Sequence, residues 1–230
     1  MPDGKSLKSR LVRRGLLAVL LLAAMLFIPA GTLKFWQGWA FMISNLISSA
    51  LVVIYFFKRD PQLLERRLLN REKISEQRLV QKLGGLIFFP SFLLPGLDYR
   101  FGWSRTFPGP VPLWLTLLAL ALIVGCQFLF FQVLNVNRFA ARVIQVEAGQ
   151  TVASTGPYRL VRHPMYLGLV VLYLCAPLAL GSFIALPAFA LLIPVVVFRL
   201  LNEEKILRHD LPGYSEYCRH TRFRLVPFVW

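Results

Sequence analysis

Long stretches with almost no charge dominate the chain: Gly15 to Leu33, Phe35 to Phe57, Leu83 to Leu97, Val111 to Val136 and Tyr166 to Leu201. A helix rises about 1.5 Å per residue and a bilayer core is about 30 Å thick, so roughly 20 apolar residues cross it. The last stretch has the length of two spans, and Leu180-Gly181-Ser182-Phe183, flanked by Pro177 and Pro187, is the natural tip between them. The expected fold is therefore an all-α integral membrane protein of about six transmembrane helices, the last two a hairpin. The third span is the weakest, because Leu83 to Leu97 is short and holds Pro90 and Pro95. A kink or an extension toward Trp103 is expected there. With 57% hydrophobic and 16% charged residues, an ordinary water-soluble enzyme is excluded.

The 26 Lys and Arg against 11 Asp and Glu give a net charge of +15. Only Lys34, Arg100 and Arg105 fall on one side of such a bundle. The rest lie in the N-terminus (Lys5, Lys8, Arg10, Arg13, Arg14), in the loops Lys58 to Lys82 and Arg138 to Arg162, and in the tail Arg199 to Arg224. Cytoplasmic loops accumulate Lys and Arg, so both termini are expected in the cytoplasm of a multi-pass protein. The charge is thereby a topology signal, and nucleic acid is not needed as a partner to explain it. The first apolar run is expected to remain as an uncleaved helix, since five more spans follow it. Cys126, Cys175 and Cys218 have no spacing suited to a disulfide framework or a metal site.

The chain reads as one domain in two parts. Residues 1–134 hold the N-terminal spans and an interfacial helix near 60–82, where Asp60 is placed to cap and Pro61 to begin it. Leu63, Leu64, Leu68 and Leu69 there oppose Glu65, Arg66, Arg67, Arg71 and Lys73, as in a helix lying on the inner membrane surface. Trp103, Trp114 and the segment Gly102 to Pro112 are expected to form an outer-face cap or an interfacial anchor, with no chemistry assigned to them.

Residues 135–230 contain the two segments rich enough in functional groups for chemistry. In the first, Gly156-Pro157 is a turn and Pro164 restricts His163 to an extended backbone at the mouth of the fifth span. The start of that helix suits an anionic group. In the second, Arg199 and Glu203 are four residues apart and share a helical face where the sixth span leaves the bilayer. Pro212-Gly213-Tyr214-Ser215-Glu216-Tyr217 and Arg222 to Pro227 follow, a turn with aromatics and bases that could fold back as a lid.

Gly156-Pro157-Tyr158, Arg162-His163-Pro164-Met165-Tyr166, the apolar hairpin, Glu203-Glu204, Tyr214 and Tyr217 together resemble the isoprenylcysteine carboxyl methyltransferase family and the related phospholipid methyltransferases. The likeness covers roughly Asn135 to Pro227. It implies S-adenosyl-L-methionine as methyl donor in a cytoplasm-facing pocket roofed by the tail, with a lipophilic or prenylated acceptor arriving from the membrane lipid. Carried over by position, Gln150, Thr151, Val152, Ala153, Tyr158, His163, Pro164, Met165, Tyr166 and Glu203 would bind the cofactor. Arg199 would bind the substrate, and Arg199 with Glu203 would be the catalytic pair. The family often has His where this chain has Gln150, and Thr151 to Ala153 would contribute mainly backbone. Methyl transfer from a sulfonium is an in-line displacement needing positioning and a dry site, and it requires neither a metal nor a covalent nucleophile. An acceptor carboxylate is already ionised, and Arg199 suits it as a bidentate partner. Tyrosine faces would attract the sulfonium.

Each role has a plainer alternative. His163 would otherwise only cap the fifth span, and Arg199 with Glu203 would be an interfacial i, i+4 pair. Glu204 is expected to be their solvated neighbour. Tyr214 and Tyr217 are either lid residues or aromatic-belt anchors. Arg159 and Arg162 enforce topology, or Arg162 pairs with Glu203 or Glu204. His209 and His220 are expected on the tail surface, without a zinc constellation. The acceptor groove is expected to be lined by apolar residues that read alike. The leading function is carboxyl O-methylation of an isoprenylcysteine-like or other lipophilic acid. The alternatives are N-methylation of a phospholipid headgroup amine, an NADPH-dependent membrane reductase of the sterol type, and a scaffold that has lost activity.

Overall fold

A computed structural model describes residues 4–68, 75–139 and 149–230, and all its regular elements are helical. Helix α1 spans Gly4–Ala30, α2 Trp36–Arg59, α3 Pro61–Leu68, α4 Ser75–Phe101 and α5 Trp103–Thr106. Helix α6 spans Leu113–Val136, α7 Pro164–Ala179, α8 Leu186–Ala190, α9 Leu192–Asp210 and α10 Tyr214–His220, with a single 3-10 turn at Gly156–Arg159. Among the described residues, five helices are long and apolar enough to cross a bilayer: α1, α2, α4, α6 and the joined α8 and α9. Helix α7 is apolar but has 16 residues, about 24 Å of rise, so it falls short of a full core thickness.

The third apolar run is part of a much longer helix. Helix α4 continues 27 residues through Pro90 and Pro95, from Ser75 to Phe101. Its close approach to α1 is set by Gly96, where a Cβ would lie 2.5 Å from the Leu26 carbonyl oxygen. Helix α3 begins as its sequence requires, the Leu63 N–H donating to Asp60 Oδ1 at 3.1 Å. It is shorter than the interfacial helix expected near 60–82: it ends at Leu68, and from Ser75 the chain belongs to α4. Leu69, Arg71 and Lys73 of that expected helix lie outside the described residues. Leu63 and Leu64 are buried against Phe56 and Leu134, so the protein's own α2 and α6 cover part of the apolar face that was expected to meet lipid.

The two ends of the bundle differ in character. At one end Arg10 pairs with Glu65 at 2.9 Å, Arg14 donates to the Leu68 carbonyl, Arg66 donates to the Arg138 carbonyl, and Arg138 approaches Asp60. At the other end the buried Asp98 carboxylate accepts from the Ser104 N–H at 2.7 Å and from the hydroxyls of Ser104 and Ser182. Ser104 Oγ in turn accepts the N–H groups of Phe183 and Ile184. The short α5 and the hairpin tip are thereby tied to the end of α4. Between the ends, Phe92 meets Phe189 at 4.8 Å between ring centroids, and Leu26, Phe35, Ile123 and Leu180 are fully enclosed. Helices α6 and α7 approach closely at Gly168, where a Cβ would lie 2.5 Å from the Phe130 ring.

Candidate active site

The site lies at the arginine-rich end, and backbone hydrogen bonds assemble it. The N–H groups of Arg162 and His163 donate to the carbonyls of Phe223 and Arg224 at 2.9 and 3.0 Å, so the C-terminal tail lies directly along the entrance to α7. His163 is the N-cap of α7, and its carbonyl accepts the N–H groups of Tyr166 and Leu167. Its side chain makes no capping bond. The ring is buried instead, 5.8 Å from Tyr166 between centroids, with Nε2 3.4 Å from the Tyr214 hydroxyl. Burial pushes its pKa down from 6.5 to about 4, so the imidazole is neutral at physiological pH.

The Tyr166 hydroxyl donates to Glu203 Oε2 at 2.5 Å and accepts from Arg199 Nε at 3.2 Å. One phenol therefore links the two charged residues of α9 to the α7 motif. Beside it, Asn137 donates to the Tyr158 hydroxyl at 3.0 Å, and Tyr217 donates to the Tyr158 carbonyl at 2.7 Å. Burial raises the Tyr158 and Tyr214 phenols well above their ordinary range and pushes Tyr217 up to about 12, which keeps all three as neutral hydroxyls.

A cavity of about 600 Å³ opens among these groups, within the range of small-molecule sites. Gln150, Thr151, Val152, Ala153, Tyr158, His163, Pro164, Met165, Tyr166, Arg199 and Glu203 all line it. Residues scattered over 54 sequence positions, Gln150 to Glu203, are thus brought to one surface. Tyr214 and Tyr217 also line it and are buried, so they are part of a folded-back tail and not exposed belt anchors. His209 and His220 are exposed, as expected.

One expectation is overturned. Glu204 is not solvated: it is 3% exposed and its carboxylate is held by Arg162 Nη1 at 2.5 Å, Arg224 Nε at 2.6 Å and Arg208 Nη2 at 3.0 Å. The tail supplies Arg224 and the segment before α7 supplies Arg162, so partners distant in sequence enclose it. Ser49, Gln81, Gln127, Asn137 and Arg67 also line the cavity. Gln127 had a signal in the sequence, the first amide of α6, well inside its apolar run and ahead of Gln132 and Asn135 near the helix end. Arg67 had none that distinguishes it from the neighbouring basic residues.

Three comparisons bear on what such a site is. The chain is 32% identical over 124 residues to the cobalt-zinc-cadmium resistance protein CzcN of Cupriavidus metallidurans, covering 52% of this chain and 51% of that protein. It is 30% identical over 90 residues to the delta(14)-sterol reductase of Mus musculus, covering 38% of this chain and 22% of that protein. The chain thus spans about half the length of the first of these relatives and less of the second. The family model described as phospholipid methyltransferase matches residues 113–211, which include α6, α7, α9, the Tyr158 to Tyr166 motif and Glu203. Over that segment the chain matches the isoprenylcysteine and phospholipid methyltransferase family.

Proposed function

We propose that the protein transfers a methyl group from S-adenosyl-L-methionine to the carboxylate of a lipophilic acceptor, an isoprenylcysteine-like or similar acid, at the cytoplasmic face of a membrane. The observation that carries this is the Tyr166 hydroxyl bridging Arg199 and Glu203 within a cavity that contains the whole motif. The donor set fits the cofactor. Glu203 offers a carboxylate to an ammonium group, the neutral His163 and the Thr151 to Ala153 segment offer polar contacts to a nucleoside, and the Tyr158, Tyr166 and Tyr214 rings offer π-faces to a sulfonium. When bound, the cofactor supplies an electrophilic methyl group. The chain's part is to position and to exclude water. Arg199 holds an acceptor carboxylate in its ionised form, so no general base is needed. The tail and the Gln150 to Ala153 segment close the cavity on the tail side. The cytoplasmic placement follows from the concentration of Lys and Arg at this end.

Two other readings each have one observation behind them. The match to the phospholipid methyltransferase family favours methylation of a phospholipid headgroup, where an amine acceptor must first lose a proton. The likeness to a sterol reductase favours an NADPH-dependent reductase. Calorimetric titration of the detergent-purified protein with S-adenosyl-L-methionine and with NADPH separates donor chemistries. Micromolar binding of the former, about 8 kcal/mol of standard affinity, with loss in Glu203→Ala, is the expected result. Binding of NADPH with silence toward S-adenosyl-L-methionine would sink the methyltransferase reading, and labelled methyl appearing on a headgroup amine would replace the acceptor.

A further inference from the structure

The cavity extends below the level of the motif into the membrane-spanning part of the bundle, where Ser49 of α2, Gln127 and Phe130 of α6, and Leu169 and Tyr173 of α7 line it. Tyr173 is seven residues beyond Tyr166 and Gln127 seven before Leu134, so this inner end lies about two helical turns, roughly 10 Å, deeper than the Tyr166 bridge. Three helices place polar side chains at that depth. The Gln127 amide donates one N–H to Asn45 Oδ1 at 2.8 Å and makes no other hydrogen bond among the described residues. Its carbonyl oxygen and second N–H remain unspent. The hydroxyls of Tyr173 and Ser49 likewise have no hydrogen-bond partner among the described residues, and both residues face the cavity.

Polar groups at membrane depth are disfavoured unless they pair. Tethering α2 to α6 accounts for the single bond between Gln127 and Asn45, but not for Tyr173, Ser49 or the unspent half of the Gln127 amide. We infer that this inner end is an acceptor subsite that binds a hydroxyl or carbonyl group carried on the acceptor's chain, roughly 10 Å from the atom that receives the methyl group. The acceptor is then an amphiphile with a second polar group along its chain. A plain hydrocarbon tail entering the cavity would leave the Tyr173 and Ser49 hydroxyls and half of the Gln127 amide without a partner, and sites built to bond a hydroxyl reject analogues that lack it. The inference rests on reading the cavity as the acceptor's.

The test is binding, without donor, of two probes to the detergent-purified protein: a saturated long-chain fatty acid and the same acid with one mid-chain hydroxyl. The hydroxy acid is expected to bind about three- to tenfold more tightly, the size of one net hydrogen bond. Gln127→Leu and the nearly isosteric Tyr173→Phe should each bring that ratio toward one, and the second variant guards against misfolding of the first. Equal affinities in the wild type, no binding of either acid, or a preference that survives both substitutions overturns the inference. Since no donor is present, failure of S-adenosyl-L-methionine to bind would sink the methyltransferase reading without touching this result.

Discussion

Glu204 Oε1 and Arg162 Nη1 meet at 2.5 Å with side chains only 4% and 5% exposed, and this ion pair joins α9 to the segment that leads into His163. Arg224 and Arg208 close around the same carboxylate, so the tail is fastened to the pair. Removing one member of a buried pair leaves the other charge uncompensated, and Glu204→Ala is expected to destabilise the protein by about 3–5 kcal/mol. Arg162→Met combined with Glu204→Leu should lose less than the sum of the two single changes. Unfolding in detergent, followed for wild type, both singles and the double, checks this. Additive losses would mean that the pair does not act as a unit.

The Tyr166 hydroxyl bonds to two charged side chains at once, donating to Glu203 and accepting from Arg199. Tyr166→Phe keeps the ring and removes both bonds. On the proposed function kcat/KM for methyl transfer should fall about ten- to a hundredfold, the size of a hydrogen bond to a charged group. The loss should appear with little change in thermal stability. Unchanged kinetics would assign the bridge to packing alone.

The extent to which the site was legible follows from the distance over which its parts are specified. Apolar run lengths and the partition of Lys and Arg are local properties, and they carried the helical membrane architecture. His163 beside Pro164 and the four-residue spacing of Arg199 and Glu203 are also local, but that they share one site with Gln150 to Ala153 and Tyr158 came from the family resemblance and not from spacing. Glu204 was misjudged because adjacent residues on a helix point about 100° apart. Which of two consecutive glutamates is enclosed depends on Arg162 and Arg224, 42 and 20 positions away. The start of α4 was hidden for a similar reason: Ser75 to Lys82 is polar, and its helicity reads no differently from that of an interfacial helix. Gln127 was visible as an amide among apolar residues, but only its bond to Asn45 and its place on the cavity wall give it a role.

Buried His163 gives stability a defined pH dependence. Its folded pKa of about 4 lies below the unfolded value near 6.5, with Glu204 acting against the shift and Arg162 and Arg224 for it. The unfolded chain therefore binds more protons between those two values, and stability falls as pH drops from about 6.5 toward 4. Above pH 7 the contribution is complete and flat. The full loss is of the order of 3 kcal/mol, at about 1.4 kcal/mol per unit. His163→Gln removes this titration, so the difference between wild type and variant in unfolding free energy should change with pH only inside that window. A parallel pair of curves would show that the ring is solvated.

Gly96 and Gly125 offer a paired test of how the helices of the bundle are spaced. A Cβ at Gly96 would meet the Leu26 carbonyl oxygen at 2.5 Å and the Ala30 nitrogen at 3.1 Å, both backbone atoms of α1 that cannot rotate away. At Gly125 on α6 nothing lies within 4 Å. Gly96→Ala must push α1 from α4 and is expected to cost about 1–3 kcal/mol. Gly125→Ala gains helix propensity without a clash and should be neutral or stabilising by up to about 1 kcal/mol. Thermal unfolding of the two variants in the same detergent reads the contrast directly. Equal effects would mean that α1 and α4 do not pack as closely as their backbones indicate.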